Sequence, residues 1–188
     1  MNRKPSSNAE YDSVRPARKA AELIRYYRKL HGLQTEGGGA YRLTASGAWA
    51  TSRPAHLFYF FRRINLAAFK LFLDLGSGDG IVSCVAGIFT HSVGIEADQE
   101  LASRAGQAAR DLGLENRVNF VCGDFFTQRI QKADCLFIYP DKPVYALEEL
   151  LKGWRGTLVI YGPHFPPKRF LLKEKLRCGR ETLSLYRQ

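Results

Sequence analysis

Leu71-Phe72-Leu73-Asp74-Leu75-Gly76-Ser77-Gly78-Asp79-Gly80 is the stretch on which the reading of this chain turns. Its first half is apolar and too short for a helix, and it runs directly into three glycines alternating with polar residues, the pattern of a buried strand ending in a tight loop. Such a loop predicts a bound ligand. With no Cβ at 76, 78 and 80, backbone can approach a small molecule closely, and the helix expected next would aim its free N–H groups at the same point. The Gly-x-Gly-x-Gly spacing differs from the Gly-x-Gly-x-x-Gly of nicotinamide dinucleotide sites.

Downstream, apolar runs with polar tips repeat. Ser92-Val93-Gly94-Ile95-Glu96 ends in a carboxylate at about the 20-residue distance where a ribose-binding acid belongs in a βαβ unit. Val118-Asn119-Phe120-Val121-Cys122 is followed by Gly123-Asp124-Phe125, and Asp134-Cys135-Leu136-Phe137-Ile138 by Tyr139-Pro140-Asp141. In a parallel sheet all carboxyl ends lie along one edge, so Asp74, Glu96, Asp124 and Asp141 are expected around a single crevice.

The run at 71–80 with these partners resembles motif I and the following motifs of the class I (seven-strand, Rossmann-like) methyltransferases, over roughly residues 70–162. The resemblance implies an α/β fold: a doubly wound, mostly parallel seven-stranded sheet of order 3-2-1-4-5-7-6, here with an N-terminal helical extension. It implies S-adenosylmethionine as cofactor, held by Asp74, Gly76, Gly78, Glu96, Asp124 and Phe125. Glu96 would hold the ribose and Asp124 the adenine amino group, and the segment with Tyr139 and Asp141 would line the reaction centre.

Across its 188 residues the chain carries a net charge of +10, distributed unevenly. Residues 1–70 carry +9, 71–150 carry −6 and 151–188 carry +7. An acidic middle suits a cofactor bearing a sulfonium and an ammonium; basic flanks suit an acidic partner, RNA or simple solubility. The four cysteines have no metal-type spacing and read as reduced core residues, and no stretch is apolar enough for a membrane span or a secretory signal. A cytoplasmic protein without a metal or membrane site is expected.

Residues 1–12 read as loosely attached and polar. Ser13 is placed to cap a basic amphipathic helix that runs to about Gly32, with Ala20, Leu23, Ile24, Tyr27 and Leu30 on its apolar face. Gly37-Gly38-Gly39 reads as a joint, and the loop that follows, with Tyr41, Thr44, Trp49, Thr51 and Ser52, as a cover for the cofactor site. The chain therefore divides into an extension, 1–52, with that lid-like loop, and a methyltransferase domain, 53–188. A helix rich in phenylalanine opens at Ser52 and Pro54 and leads into the first strand. Further helices are expected over 80–89, 98–113 and 145–151, a strand over 156–161, and a closing hairpin over 169–178 and 181–187.

Methyl transfer from a sulfonium is an in-line displacement, so the protein chiefly positions the acceptor and removes its proton where needed. Tyr139 can orient an amine through its hydroxyl or ring face; Asp141 can accept a proton, attract a cation, or simply form a turn before Lys142-Pro143. Ile138-Tyr139-Pro140-Asp141 stands where many base-amine methyltransferases carry Asp/Asn-Pro-Pro-Tyr, which counts against that acceptor. Residues 47–52 loosely resemble the loop before motif I in small protein-lysine methyltransferases, and a macromolecular acceptor, protein lysine ahead of RNA, is the resulting expectation; a small-molecule acceptor, a non-catalytic cofactor-binding module and, last, a nicotinamide-dependent dehydrogenase are the alternatives. Asp79 is expected either to meet the donor's amino group or to cap the next helix, and His164 to be a base or an exposed loop residue; His31, His56 and His91 have no convergent partners by spacing, which argues against a metal site.

Overall fold

The computed structural model describes residues 7–32, 41–44, 47–50 and 52–188. In chain order the elements are α1 (Ser7–Gly32), β1 (Tyr41–Thr44), β2 (Gly47–Ala50), α2 (Pro54–Arg63), β3 (Leu71–Leu75), α3 (Ile81–Ala86), β4 (His91–Glu96), α4 (Gln99–Asp111), β5 (Val118–Cys122), β6 (Cys135–Ile138), α5 (Tyr145–Leu150), β7 (Thr157–Tyr161), β8 (Leu171–Cys178) and β9 (Glu181–Arg187). Strands β3 to β9 form one sheet in the order β5-β4-β3-β6-β7-β9-β8. Counted within the sheet this is 3-2-1-4-5-7-6, the order that the family resemblance implies.

Five strands pair in parallel, β3 with β4 and β6, β4 with β5, and β6 with β7, while β9 returns antiparallel to both β7 and β8. The central strands carry apolar residues on both faces because both faces are covered. On one face α1, α2 and α3 enclose Leu23, Tyr27, Leu57, Phe60, Phe61 and Phe72, all fully buried. On the other, Leu136, Leu147, Leu151 and Leu158 pack with Trp154 and Phe170. Each such side chain contributes about 1.5–3 kcal/mol by leaving water.

Several local expectations are corrected. Helix α1 begins at Ser7, with Pro16 inside it, so Ser13 is not its cap and residues 7–12 are helical. The run Ala9-Glu10 favours helix, and an internal proline removes one ladder hydrogen bond without preventing the turn before it. Tyr41–Thr44 and Gly47–Ala50, expected as loop, pair antiparallel as β1 and β2. Arg53, not Ser52, is the N-cap of α2, with Pro54 in the first turn. The helix over 80–89 shortens to Ile81–Ala86, whereas Asp98 caps α4 as expected, its carboxylate accepting from the N–H groups of Glu100 (2.9 Å) and Leu101 (3.0 Å). Cys84 and Cys135 are buried and Cys178 half-buried, but Cys122 is exposed, because β5 is an edge strand with water on most of its surface. The triple-glycine joint lies outside the described residues, as do the side chains of Tyr41, Thr44, Trp49 and Thr51.

Candidate functional site

A cavity of about 450 Å³ opens at the carboxyl edge of the sheet, between the ends of β3, β4, β5 and β6. It lies where strand order reverses, β3 leading to β4 on one side and β6 on the other, which is the place a doubly wound sheet leaves a crevice. Asp74, Gly76, Glu96, Asp124, Phe125, Tyr139 and Asp141 all line it, drawn together from more than sixty residues of chain by parallel pairing alone. Ser52, at the entrance to α2, lines it too.

The glycine loop is sewn onto β4. Gly76 and Ser77 donate their N–H groups to the Ile95 carbonyl (2.9 and 3.0 Å), and Gly78 donates to Glu96 Oε2 (2.8 Å). Glu96 Oε1 accepts from the Asp98 N–H (2.9 Å), so each carboxylate oxygen carries one backbone hydrogen bond and keeps capacity for another. Gly76, Gly78 and Gly80 have φ of 77°, 55° and 83°, values that favour glycine. A Cβ at Gly76 would enter open space, whereas Gly78 does not line the cavity and acts through its bond to Glu96.

Asp74 lies beneath the loop, 2% exposed, and accepts from the Ser83 hydroxyl at 2.7 Å. Burial pushes its carboxyl up to about 7; the Ser83 hydrogen bonds oppose that shift and the nearby Glu96 adds to it. Asp124 is exposed, and its Oδ1 accepts the Phe126 N–H (2.8 Å), turning the chain into a short 3₁₀ turn. That turn stacks Phe125 on Phe126, ring centroids 4.4 Å apart, as an aromatic wall at this end of the cavity.

At the opposite end Tyr139 is 40% exposed, its ring edge-on to Tyr161 at 5.1 Å and against Gly162, where a Cβ would come within 3.0 Å of the ring. Asp141 and Lys142 lie exposed at the same mouth. The Tyr161 hydroxyl hydrogen-bonds Glu181 Oε2, which also meets His56 Nδ1 at 2.7 Å, while Arg53 Nε stands 3.7 Å from Glu181 Oε1. Burial first, then Glu181, raises the Tyr161 phenol above its ordinary range.

Asp79 and three of the histidines lie away from the cavity lining. Asp79 does not face the cavity; its Oδ2 meets His31 Nε2 at 2.7 Å and its Oδ1 accepts the Ile81 N–H at 3.4 Å. His31 and His56 therefore both have carboxylate partners, separated from them by 48 and 125 residues, a distance over which linear spacing carries no signal. His164 is exposed and lies outside the cavity lining.

A seven-stranded sheet in this order, with its crevice beneath a glycine loop and an acid at the end of the second strand, is the class I methyltransferase fold. No protein-family model matches the chain. The N,N-dimethyltransferase OxyT of Streptomyces rimosus is 34% identical over 111 residues, 53% of this chain and 32% of that protein, so the chain spans about a third of the relative's length. An RNA methyltransferase from Salinibacter ruber, crystallised with S-adenosyl-L-homocysteine, shares the fold with a TM-score of 0.64 at 23% identity, over 74% of this chain and 93% of that one. The mitomycin 7-O-methyltransferase MmcR has a TM-score of 0.56 at 14% identity, over 71% of this chain and 53% of its own. Among the described residues no helix is long and apolar enough to cross a membrane.

Proposed function

We propose that this chain is an S-adenosylmethionine-dependent methyltransferase whose acceptor atom is an amine nitrogen. The observation that carries the reading is the cavity's polarity along its length: a carboxylate and an open glycine cradle at the β3–β4 end, and an exposed tyrosine and aspartate at the β6 end. The residues present fit the cofactor. Glu96 retains acceptor capacity for the ribose hydroxyls, Phe125 and Asp124 offer a ring and an acceptor to the adenine, and Asp74 and the net negative middle of the chain suit a cation. When bound, S-adenosylmethionine supplies an already activated methyl group on sulfur. The protein's part is to hold an amine in line and receive its proton, which the Asp141 carboxylate can do at the mouth, with the Tyr139 ring face steadying a cationic nitrogen. The relative's name, an N,N-dimethyltransferase, supports nitrogen as acceptor.

Among amines a protein lysine is the acceptor the sequence favours, the division at residue 52 and a cytoplasmic location going with that reading; the basic flanks favour RNA instead. Tritiated methyl transfer into a lysate fractionated into protein, RNA and small molecules tests the ordering. Label is expected in protein, and Asp141→Asn is expected to reduce incorporation by roughly a hundredfold, the scale of a lost general base. Label confined to ribonuclease-sensitive material would overturn the lysine acceptor, and label in no fraction despite cofactor binding would make the protein a binding module.

The position of Asp74 gives a pH dependence. With its pKa raised to about 7, the unliganded fold is favoured by the protonated form and loses that contribution as pH rises through about 7. A cationic cofactor favours the ionised form instead and displaces the proton. Affinity for S-adenosylmethionine is therefore expected to rise as pH increases, by up to about tenfold per unit below the pKa, and Asp74→Asn is expected to flatten the profile. Titration calorimetry in buffers of different ionisation heat reports the released proton; no release would remove Asp74 from the cation's surroundings.

A further inference from the structure

The glycine loop has a second attachment, on the side away from the cavity. Two residues of α1 converge on Asp79, the residue between Gly78 and Gly80. Tyr27 Oη donates to the Asp79 carbonyl at 3.1 Å, and His31 Nε2 meets its carboxylate at 2.7 Å. Tyr27 is fully buried and Asp79 is 4% exposed. Helix α1 itself is firmly seated: Leu23 and Tyr27 belong to the core with Leu57 and Phe61, Tyr26 Oη donates to Asp111 Oδ2 at 2.9 Å, and Lys19 Nζ to the Leu112 carbonyl at 2.6 Å.

Apolar contacts are enough to dock an amphipathic helix, and Leu23 supplies them. What they do not account for is a hydroxyl and an imidazole from successive turns both directed at one loop residue. That residue lies in the most conformationally free part of the site, since Gly76, Gly78 and Gly80 have φ of 77°, 55° and 83° and each retains wide backbone freedom when released. On the cavity side the loop is held by Ile95 and Glu96; on the far side the carbonyl and carboxylate of Asp79 are held by α1.

We infer that Tyr27 and His31 are positioning residues for the cofactor: through Asp79 they hold the glycine loop in its binding shape, which makes the N-terminal helix part of the site although neither residue lines the cavity. The inference rests on the cofactor reading above. It predicts a division of kinetic effects, because a loop that must be ordered on binding weakens affinity for the cofactor while leaving the reaction of the bound complex intact.

The test uses Tyr27→Phe, which removes one oxygen from a residue that otherwise keeps its ring, together with His31→Ala and His31→Gln in the full chain. Backbone amide exchange at 76–80 is followed without ligand, S-adenosylmethionine affinity by calorimetry, and turnover at saturating cofactor on the labelled fraction. Tyr27→Phe and His31→Ala are each expected to speed exchange at the loop and weaken affinity about tenfold, with His31→Gln recovering part of both by restoring a donor. Turnover at saturation is expected to stay within about twofold. Exchange at 76–80 unchanged in both variants overturns the inference, as does faster exchange with unaltered affinity. Should His31→Ala fail to fold, Tyr27→Phe decides. Should the wild-type protein bind no S-adenosylmethionine, the cofactor reading falls, the positioning role falls with it, and exchange at 76–80 still reports whether α1 orders the loop.

Discussion

Replacing Glu96 by alanine is expected to reduce S-adenosylmethionine affinity at least about a hundredfold, the largest effect of any single change on binding. Two losses combine. A charge-assisted hydrogen bond is worth about 1.5–3 kcal/mol, and a carboxylate facing two ribose hydroxyls forfeits two of them at once. The same carboxylate also fixes the loop, for Gly78 and Asp98 donate their N–H groups to its two oxygens at 2.8 and 2.9 Å. Leaving those donors unpaired costs about 1–3 kcal/mol each where they stay buried, so the unliganded protein is expected to melt earlier as well. Glu96→Gln separates the contributions: it keeps one acceptor oxygen for the backbone and loses the charge. Calorimetric titration checks both variants, and an affinity for Glu96→Ala within about threefold of wild type would remove Glu96 from the cofactor site.

Gly80→Ala is expected to cost about 2–5 kcal/mol of folding stability, more than the same change at Gly76. The residue has φ of 83°, and a Cβ would lie 2.6 Å from Phe120 Cζ and 2.8 Å from Ala105 Cβ. The first neighbour is the end of a rigid ring on β5 and the second is fixed to α4, so neither side can give way without moving an element. Gly76→Ala is the control. Its φ is 77°, but nothing lies within 4 Å of the added atom, which leaves only the conformational cost of about 1–2 kcal/mol. That Cβ would enter the space offered to the cofactor, so Gly76→Ala is expected to spare the fold and weaken binding, the reverse of Gly80→Ala. Urea denaturation of the two proteins decides the matter: equal midpoints would mean that the packing of Phe120 and Ala105 under the loop does not set the requirement for glycine at 80.

The carboxylates of the cavity all come from one stretch of the chain. Asp74, Glu96, Asp124 and Asp141 belong to the segment of net negative charge and all meet the cavity, and Lys142 of the same segment lines it with them.

What the sequence alone determines is the frame. Apolar runs of strand length with polar tips, the glycine spacing at 76–80 and the acid at 96 specify a parallel sheet and place Asp74, Gly76, Glu96, Asp124, Phe125, Tyr139 and Asp141 at one crevice, because side-chain period and strand direction are local properties that survive folding unchanged. Asp98 as the cap of α4 and the closing hairpin are legible for the same reason. The partners of those residues are decided by the tertiary structure. Asp79 turns from the cavity to His31 only because α1 packs across the loop; His56 and Tyr161 meet at Glu181 only because β9 returns beside β7; and Cys122 faces water only because β5 ends the sheet. Each depends on how two elements distant in the chain lie against each other, and the free energy of burying apolar faces, which sets that placement, depends on the area they cover together and leaves no periodic mark on either segment.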